Sequence, residues 1–304
     1  MAEWLILLVF VPAIIVPIVL LVGFAGCSID RMGLAVPMPE PPMVEPPSVD
    51  SAVGKSVSII TLTWTFADPA AATFEFEREK IPDRATEIFE ASTSPFDDTG
   101  LEPATSYRYR VRAVFSDGET SGWSSPVTGT TLSFEPTFSE TLIADEAGWE
   151  GYTLVQRIEA ARLSRSGTQV KLTLRASSVS DASIDRIYLS QPDPTGDPYD
   201  SAADLIKVHD TDDGSSAIVV PANTAVTLPA TIPAVNYNLD EGRPLLIAVD
   251  FSGAPPSGIS YRDAVLAEEA VGYWHAGAEA AVRDRAPAYT PEARIYLVEK
   301  IEVG

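Results

Sequence analysis

The 304-residue sequence predicts an all-β chain: two sandwiches carried behind an apolar N-terminal segment. Three observations predict it. Short runs alternating apolar and polar residues recur along the chain, each bounded by Asp, Gly, Pro or Ser, as half-buried strands are. From Phe134 onward no long segment with a 3.6-residue period interrupts them, apart from a short helical possibility near Asp263 to Val271. Finally, 45% hydrophobic content over this length suffices for two cores, and a single cysteine leaves packing, rather than disulfides or cysteine-based zinc, to hold them.

Charge narrows the partners. A formal charge of −22 repels phosphate backbones, so nucleic acid is not expected. Residues 1–132 carry 17 Asp and Glu against 8 Lys and Arg, and the rest carries 26 against 13, so no basic patch hides in an acidic average. The acidity reads as a solubility feature.

The first element spans residues 1–27. From Trp4 to Gly26 no residue is charged, which is about the length a helix needs to cross a hydrocarbon core of roughly 30 Å. A secretory signal peptide has a basic start and a shorter apolar core; here only Glu3 precedes the run, so a retained membrane anchor is the first reading. Phe24-Ala25-Gly26-Cys27-Ser28 resembles a bacterial lipobox with Phe where Leu is usual, and the resemblance implies Cys27 as the lipidated first residue of a mature lipoprotein. Burial of the segment within a larger assembly is the third reading. Residues 28–50 include VPMPEPPMVEPPSVD, whose prolines fix φ and remove donors, so a semi-rigid polyproline spacer is expected there.

Residues 51–132 should form the first sandwich. Ser56 to Thr65 alternates apolar and hydroxyl residues and should turn Trp64 inward, and strand-like runs follow at 73–79, 87–91, 106–115 and 125–132. In YRYRVRAV a period of two puts Tyr107, Tyr109, Val111 and Ala113 on one face and Arg108, Arg110 and Arg112 on the other. The arginines are expected on a solvated face opposite cross-strand carboxylates, and Trp123 is expected to pack at the strand edge. Leu101 and Pro103 set the turn before a tyrosine placed as in a tyrosine corner. LTW, then GLEPATSYRYRVRAV, then SGWSSPVTGTT together resemble a fibronectin type III domain over about residues 46–132. That resemblance implies a seven-stranded spacer or recognition module, not an activity. The loop FSDGETSGW holds no Arg-Gly-Asp tripeptide.

Residues 133–304 read as a second antiparallel sandwich, with strands near 168–176, 183–190, 217–221, 225–233, 244–251 and 293–303. A jelly roll is the expected form. From Leu154 to Gly253 the progression through TQVKLTLRA, SIDRIYLS and the VPANT turn is similar to jelly-roll modules found with SGNH-type hydrolases and with phage spikes and fibres. It implies carbohydrate-directed display rather than catalysis.

Chemistry is sparse. No Gly-Asp-Ser block and no Gly-x-Ser-x-Gly elbow occurs, so ester hydrolysis has no nucleophile. His209 in KVHDTDDG and His275 in GYWHAG lack any zinc pattern and read as surface or edge residues in loops. Carboxylates are too abundant for any glycosidase pair to be singled out, and no enzyme is expected. Asp193, Asp197, Asp200 and Asp204 in one loop, and Asp210, Asp212 and Asp213 in another, concentrate hard oxygen ligands without EF-hand spacing; calcium is a candidate at the latter three. Sugar binding asks for exposed aromatic faces beside carboxylates, and Trp274, Tyr273, Trp149, Tyr152 and Tyr199 are the candidates. Trp274 leads, because glycines around it suggest a loop.

Together these features lead to the expectation of a non-enzymatic, membrane- or lipid-anchored protein displayed outside a cell, with the distal sandwich binding glycan or a surface protein. Arg31 after the apolar run is weak positive-inside evidence for the opposite orientation. The alternative is a structural virion component, a phage spike or fibre, for which a homo-oligomer would be expected.

Overall fold

The computed structural model describes residues 44–68, 71–229, 234–264, 268–285 and 288–304. The apolar segment with Cys27 and the proline-rich stretch to residue 43 lie outside them. No helix among the described residues is long and apolar enough to cross a membrane.

The first seven strands are β1 (Ser48–Ser56), β2 (Ile59–Thr65), β3 (Ala71–Ile81), β4 (Thr86–Ala91), β5 (Phe96–Thr99), β6 (Ser106–Phe115) and β7 (Val127–Thr130). They form a three-stranded sheet β1-β2-β5 and a four-stranded sheet β4-β3-β6-β7. Strand β1 starts at Ser48, so the last residues of the proline-rich stretch already belong to a sheet. Trp64 points inward as expected and meets Phe76 edge-on with ring centroids 4.9 Å apart.

Alternation along β6 separates the core from the charge. Tyr107, Tyr109, Val111 and Ala113 are buried, while Arg108, Arg110 and Arg112 stand opposite Glu79, Glu77 and Glu75 of β3 and pair with them. Trp123 lies over two of these guanidinium groups, 4.9 Å from Arg110 and 4.7 Å from Arg112. The two tyrosines divide their labour. Tyr107 Oη accepts a 2.9 Å bond from the Glu102 N–H, the tyrosine-corner contact, whereas Tyr109 donates at 2.8 Å to buried Asp98, which Arg78 neutralises at 2.7 Å. Burial and the Asp98 charge push the Tyr109 hydroxyl far above its ordinary pKa. Edge strands β1 and β7 belong to different sheets yet nearly touch. A Cβ on Gly129 would sit 2.8 Å from the Ala52 carbonyl oxygen, so glycine is needed there. This is a fibronectin type III-like sandwich.

The remaining strands are β8 (Glu135–Ser139), β9 (Ala144–Ala147), β10 (Tyr152–Ile158), β11 (Gly167–Arg175), β12 (Ala182–Ser190), β13 (Ile206–Asp210), β14 (Ile218–Val220), β15 (Ala225–Leu228), β16 (Val235–Leu239), β17 (Leu245–Phe251), β18 (Gly258–Asp263), β19 (Ala270–Ala276), β20 (Thr290–Glu292), β21 (Arg294–Tyr296) and β22 (Val298–Val303). The largest sheet runs β13-β12-β17-β10-β19-β20, with β14 also on β12. A second runs β15-β11-β22-β8, with β16 on β11, and a third is β21-β18-β9. Every strand pair is antiparallel, and one apolar core draws on all three sheets.

The reading of a short helix near Asp263 to Val271 does not hold at either end: Asp263 closes β18 and Ala270 opens β19. His209 and the first residues of the KVHDTDDG stretch lie in edge strand β13 rather than in a loop. Strand β17 is buried at each of its seven positions. Its second face lies under a cover the sequence did not announce, where Tyr199, Ala280 and Tyr289 from two excursions pack on Val155, Leu246 and Ala248. The two sandwiches also touch. Val57, in the β1–β2 turn, is fully buried where Gly304 approaches it, and the Gln169 amide donates to Ser58 Oγ at 3.2 Å.

Candidate functional site

The candidate site is assembled from β9, β10 and β19. After β9, Gly148 (φ 88°) and Gly151 (φ 74°) adopt left-handed conformations that L side chains rarely take, and the tight turn between them presents Trp149 and then Tyr152. Tyr152 N–H donates to the Trp149 carbonyl at 3.2 Å, which closes the turn. Strand β10 pairs with β19 so that Tyr152 faces Ala276 and Leu154 faces Trp274. Tyr152 and Trp274 are therefore diagonal neighbours on one face, with ring centroids 5.8 Å apart at 68°. Tyr152 stands in turn 6.4 Å from Trp149 at 70°.

These rings border an open cleft of about 170 Å³ lined by Glu146, Ala147, Gly148, Trp149, Tyr152 and Trp274. Trp149 lies deepest at 5% exposure, braced by Tyr296 at 5.2 Å and Phe251 at 5.5 Å, while Tyr152 and Trp274 are half-buried. Glu146 supplies the one charged side chain of the lining among the described residues. Its carboxylate is 3.4 Å from Arg294, whose guanidinium is also held by Glu292 at 2.7 Å, Asp263 at 3.0 Å and the Tyr296 hydroxyl at 3.0 Å. The Tyr296 hydrogen bond, with the surrounding carboxylates, holds the Arg294 pKa well above its ordinary value.

Three of the five aromatic candidates thus meet, and two do not. Trp274 sits in strand β19 and not in a loop, and because neighbours along a strand face opposite ways, Tyr273 points to the other side of the sheet. There it packs 5.5 Å from Tyr199, which stacks on Tyr289 at 4.7 Å, with His275 5.4 Å from Tyr289. Tyr199 is almost wholly buried. Tyr273 and Tyr199 fasten the cover over the large sheet instead of presenting a surface. Glu146 escaped the sequence reading; its only signal was its place just before the Gly-Trp pair.

The calcium candidates face cations of the protein itself. Arg186 reaches Asp210 at 3.2 Å and Asp212 at 2.6 Å, and Lys207 reaches Asp213 at 2.9 Å. Although burial opposes it, hydrogen bonds from the Tyr188 hydroxyl and the Asp212 N–H, with Arg186, hold Asp210 below the usual carboxylate range. The Ser215 hydroxyl and Lys207 do the same for Asp213. Among the described residues no group of three or more His, Cys, Asp or Glu is placed to hold a metal ion. His209 Nε2 and His275 Nδ1 are buried with no hydrogen-bond partner among the described residues.

No family model matches the sequence, and no curated protein does. Solved structures to which the chain is similar include a two-domain fibronectin type III segment of chicken tenascin, at 10% identity, covering 84% of this chain and 99% of that one, with a TM-score of 0.26. The FN1–FN3 domains of chicken CNTN1 are 15% identical over 84% of this chain and 89% of that chain, with a TM-score of 0.23. The chitinase ChiA74 from Bacillus thuringiensis is 14% identical over 68% of this chain, with a TM-score of 0.23; this chain covers 27% of the chitinase's length. The class is defined by strand pairing and the tyrosine corner: an all-β chain in which a fibronectin type III-like sandwich is followed by a larger antiparallel one.

Proposed function

We propose that the chain is a non-enzymatic, surface-displayed recognition protein whose larger sandwich binds a glycan in the Trp149–Tyr152–Trp274 cleft, with the fibronectin type III-like sandwich as its spacer. The observation that carries this reading is the convergence of three aromatic side chains, drawn from positions 149 to 274, in one open cleft beside the Glu146 carboxylate. Sugar C–H faces stack on aromatic rings, and sugar hydroxyls need carboxylate or backbone partners. The cleft offers both. At about 170 Å³ it is smaller than the roughly 300–1,000 Å³ of pockets that enclose drug-sized ligands, so a single terminal sugar ring suits it better than a long oligosaccharide. On this reading the apolar N-terminal segment fixes the protein to a membrane.

Glycan-array screening followed by calorimetric titration of the best ligand tests it. Trp274→Ala should weaken binding roughly tenfold, the loss expected when one stacking ring goes. Trp123→Ala, on the spacer, should leave binding unchanged. Equal affinities for Trp274→Ala and the parent would remove the cleft from the account.

A further inference from the structure

The cleft is charged as well as aromatic. Among the described residues its lining contains Glu146 and no lysine or arginine. Arg294, beside it, is already engaged by three carboxylates, those of Glu146, Asp263 and Glu292, and so adds no free positive charge. Tyr152 meets Trp149 and Trp274 at 70° and 68°, so successive walls stand nearly perpendicular, and their centroids are 6.4 and 5.8 Å apart. Aromatic faces carry negative potential, and a cation within about 6 Å of a ring centroid is attracted to it. Walls of this kind with a carboxylate at the rim favour a positively charged nitrogen over a neutral hydroxyl and repel a carboxylate or sulfate.

We infer that the cleft selects ligands bearing a positively charged nitrogen, whether a quaternary ammonium head or the protonated amine of an amino sugar. The inference rests on the reading of this cleft as the recognition site and adds the chemistry it takes. It commits to one rule: charge on nitrogen, not sugar identity, ranks the ligands.

The test follows indole N–H signals of the full chain by nuclear magnetic resonance, in an uncharged polyoxyethylene detergent that presents no sugar. The probes are tetramethylammonium, glucosamine, N-acetylglucosamine, glucose and glucuronate. Tetramethylammonium or glucosamine, or both, should move the Trp149 and Trp274 signals at concentrations at least roughly fivefold below those needed for glucose, while Trp64 and Trp123 stay still. Movement with tetramethylammonium alone would assign a quaternary ammonium source, and movement with glucosamine alone an amino-sugar source; either supports the rule. Glu146→Gln should weaken the cationic probes by roughly fivefold and leave glucose unaffected. If glucose or N-acetylglucosamine moves the signals as readily as glucosamine and tetramethylammonium does not, the charge rule is wrong while the glycan reading stands. If no probe moves them, both fall.

Discussion

Arg285 and Asp250 are the most deeply buried charged residues among the described residues of the larger sandwich, each at 1% exposure, and replacing Arg285 tests what holds the cover on the large sheet. Its guanidinium makes no ion pair among the described residues. Nε donates to the Glu279 carbonyl at 3.2 Å, Nη1 to the Tyr199 carbonyl and to Ser201 Oγ at 3.1 Å, and Nη2 to the Ala280 carbonyl at 3.2 Å. Its backbone N–H donates to Asp200 at 2.9 Å. Burial lowers its pKa, against the pull of Tyr289, Asp200, Asp250 and Glu279. Arg285→Met keeps an unbranched stem but removes the donor to three carbonyls and a hydroxyl, of which the Glu279 carbonyl keeps the Val282 N–H at 3.0 Å and Ser201 Oγ keeps the Ser190 hydroxyl at 2.8 Å. Hydrogen bonds from charged donors contribute about 1.5–3 kcal/mol each, and the several kcal/mol no longer spent on desolvating the cation offset part of that sum. Because two of the four acceptors keep a second donor, the net loss expected after that offset is about 2–4 kcal/mol, or roughly 10 °C in Tm for a domain of this size. Calorimetric unfolding gives the total. Hydrogen exchange locates it, because the Glu279 and Ala280 amides, which both donate to Asp250 at 2.9 Å, should lose protection before the strands beneath them. A loss below about 1 kcal/mol with those two amides still protected would refute the reasoning.

Two further outcomes follow from close contacts. Gly272→Ala would place a methyl 2.5 Å from Cδ2 of buried Tyr296, which braces Trp149; overpacking should cost about 1–3 kcal/mol and shift the Trp149 indole signal, and a variant as stable as the parent with that signal unmoved would contradict it. Asp145 is held below the usual carboxylate range by the Ser178 hydroxyl and N–H and by Ser260, against burial. Its folded pKa lies below the unfolded value of about 3.9, so its contribution is present above that pH and is lost as pH falls through the folded value. Asp145→Asn should therefore be less stable at neutral pH and lose less stability than the parent below about pH 4; urea midpoints taken across pH 2–7 that stay parallel would count against this.

Legibility followed the number of wet faces on each strand. In the first sandwich β6 has one face in the core and one in water, so the alternation of Tyr107, Tyr109 and Val111 with three arginines was visible in the sequence, and so were the corner and the partner carboxylates on β3. In the larger sandwich the central strands have no wet face. Strand β17 reads as LLIAVDF, apolar at every position but Asp250, and β10 as YTLVQRI, and nothing in either announces the Tyr199–Tyr289 layer that covers them. Arg285 and Asp250, which pin that layer, look like any exposed charged residues until the loops are placed.

The same logic accounts for the error over GYWHAG. Its glycines suggested a loop, and a loop would have let Tyr273 and Trp274 act together. Gly272 is there for another reason: in strand β19 it lies against the Tyr296 ring, where no side chain fits. Once that stretch is a strand, a period of two must send Trp274 to the cleft and Tyr273 to the cover. Five aromatic candidates that composition alone could not rank are then sorted by parity and register. Those on the Tyr152 side stand with Glu146, and those on the Val155 side stand with Tyr289 and the cover that Arg285 pins. One strand therefore faces the cleft with one side and the cover with the other, and substitutions at adjacent positions 273 and 274 should separate the two.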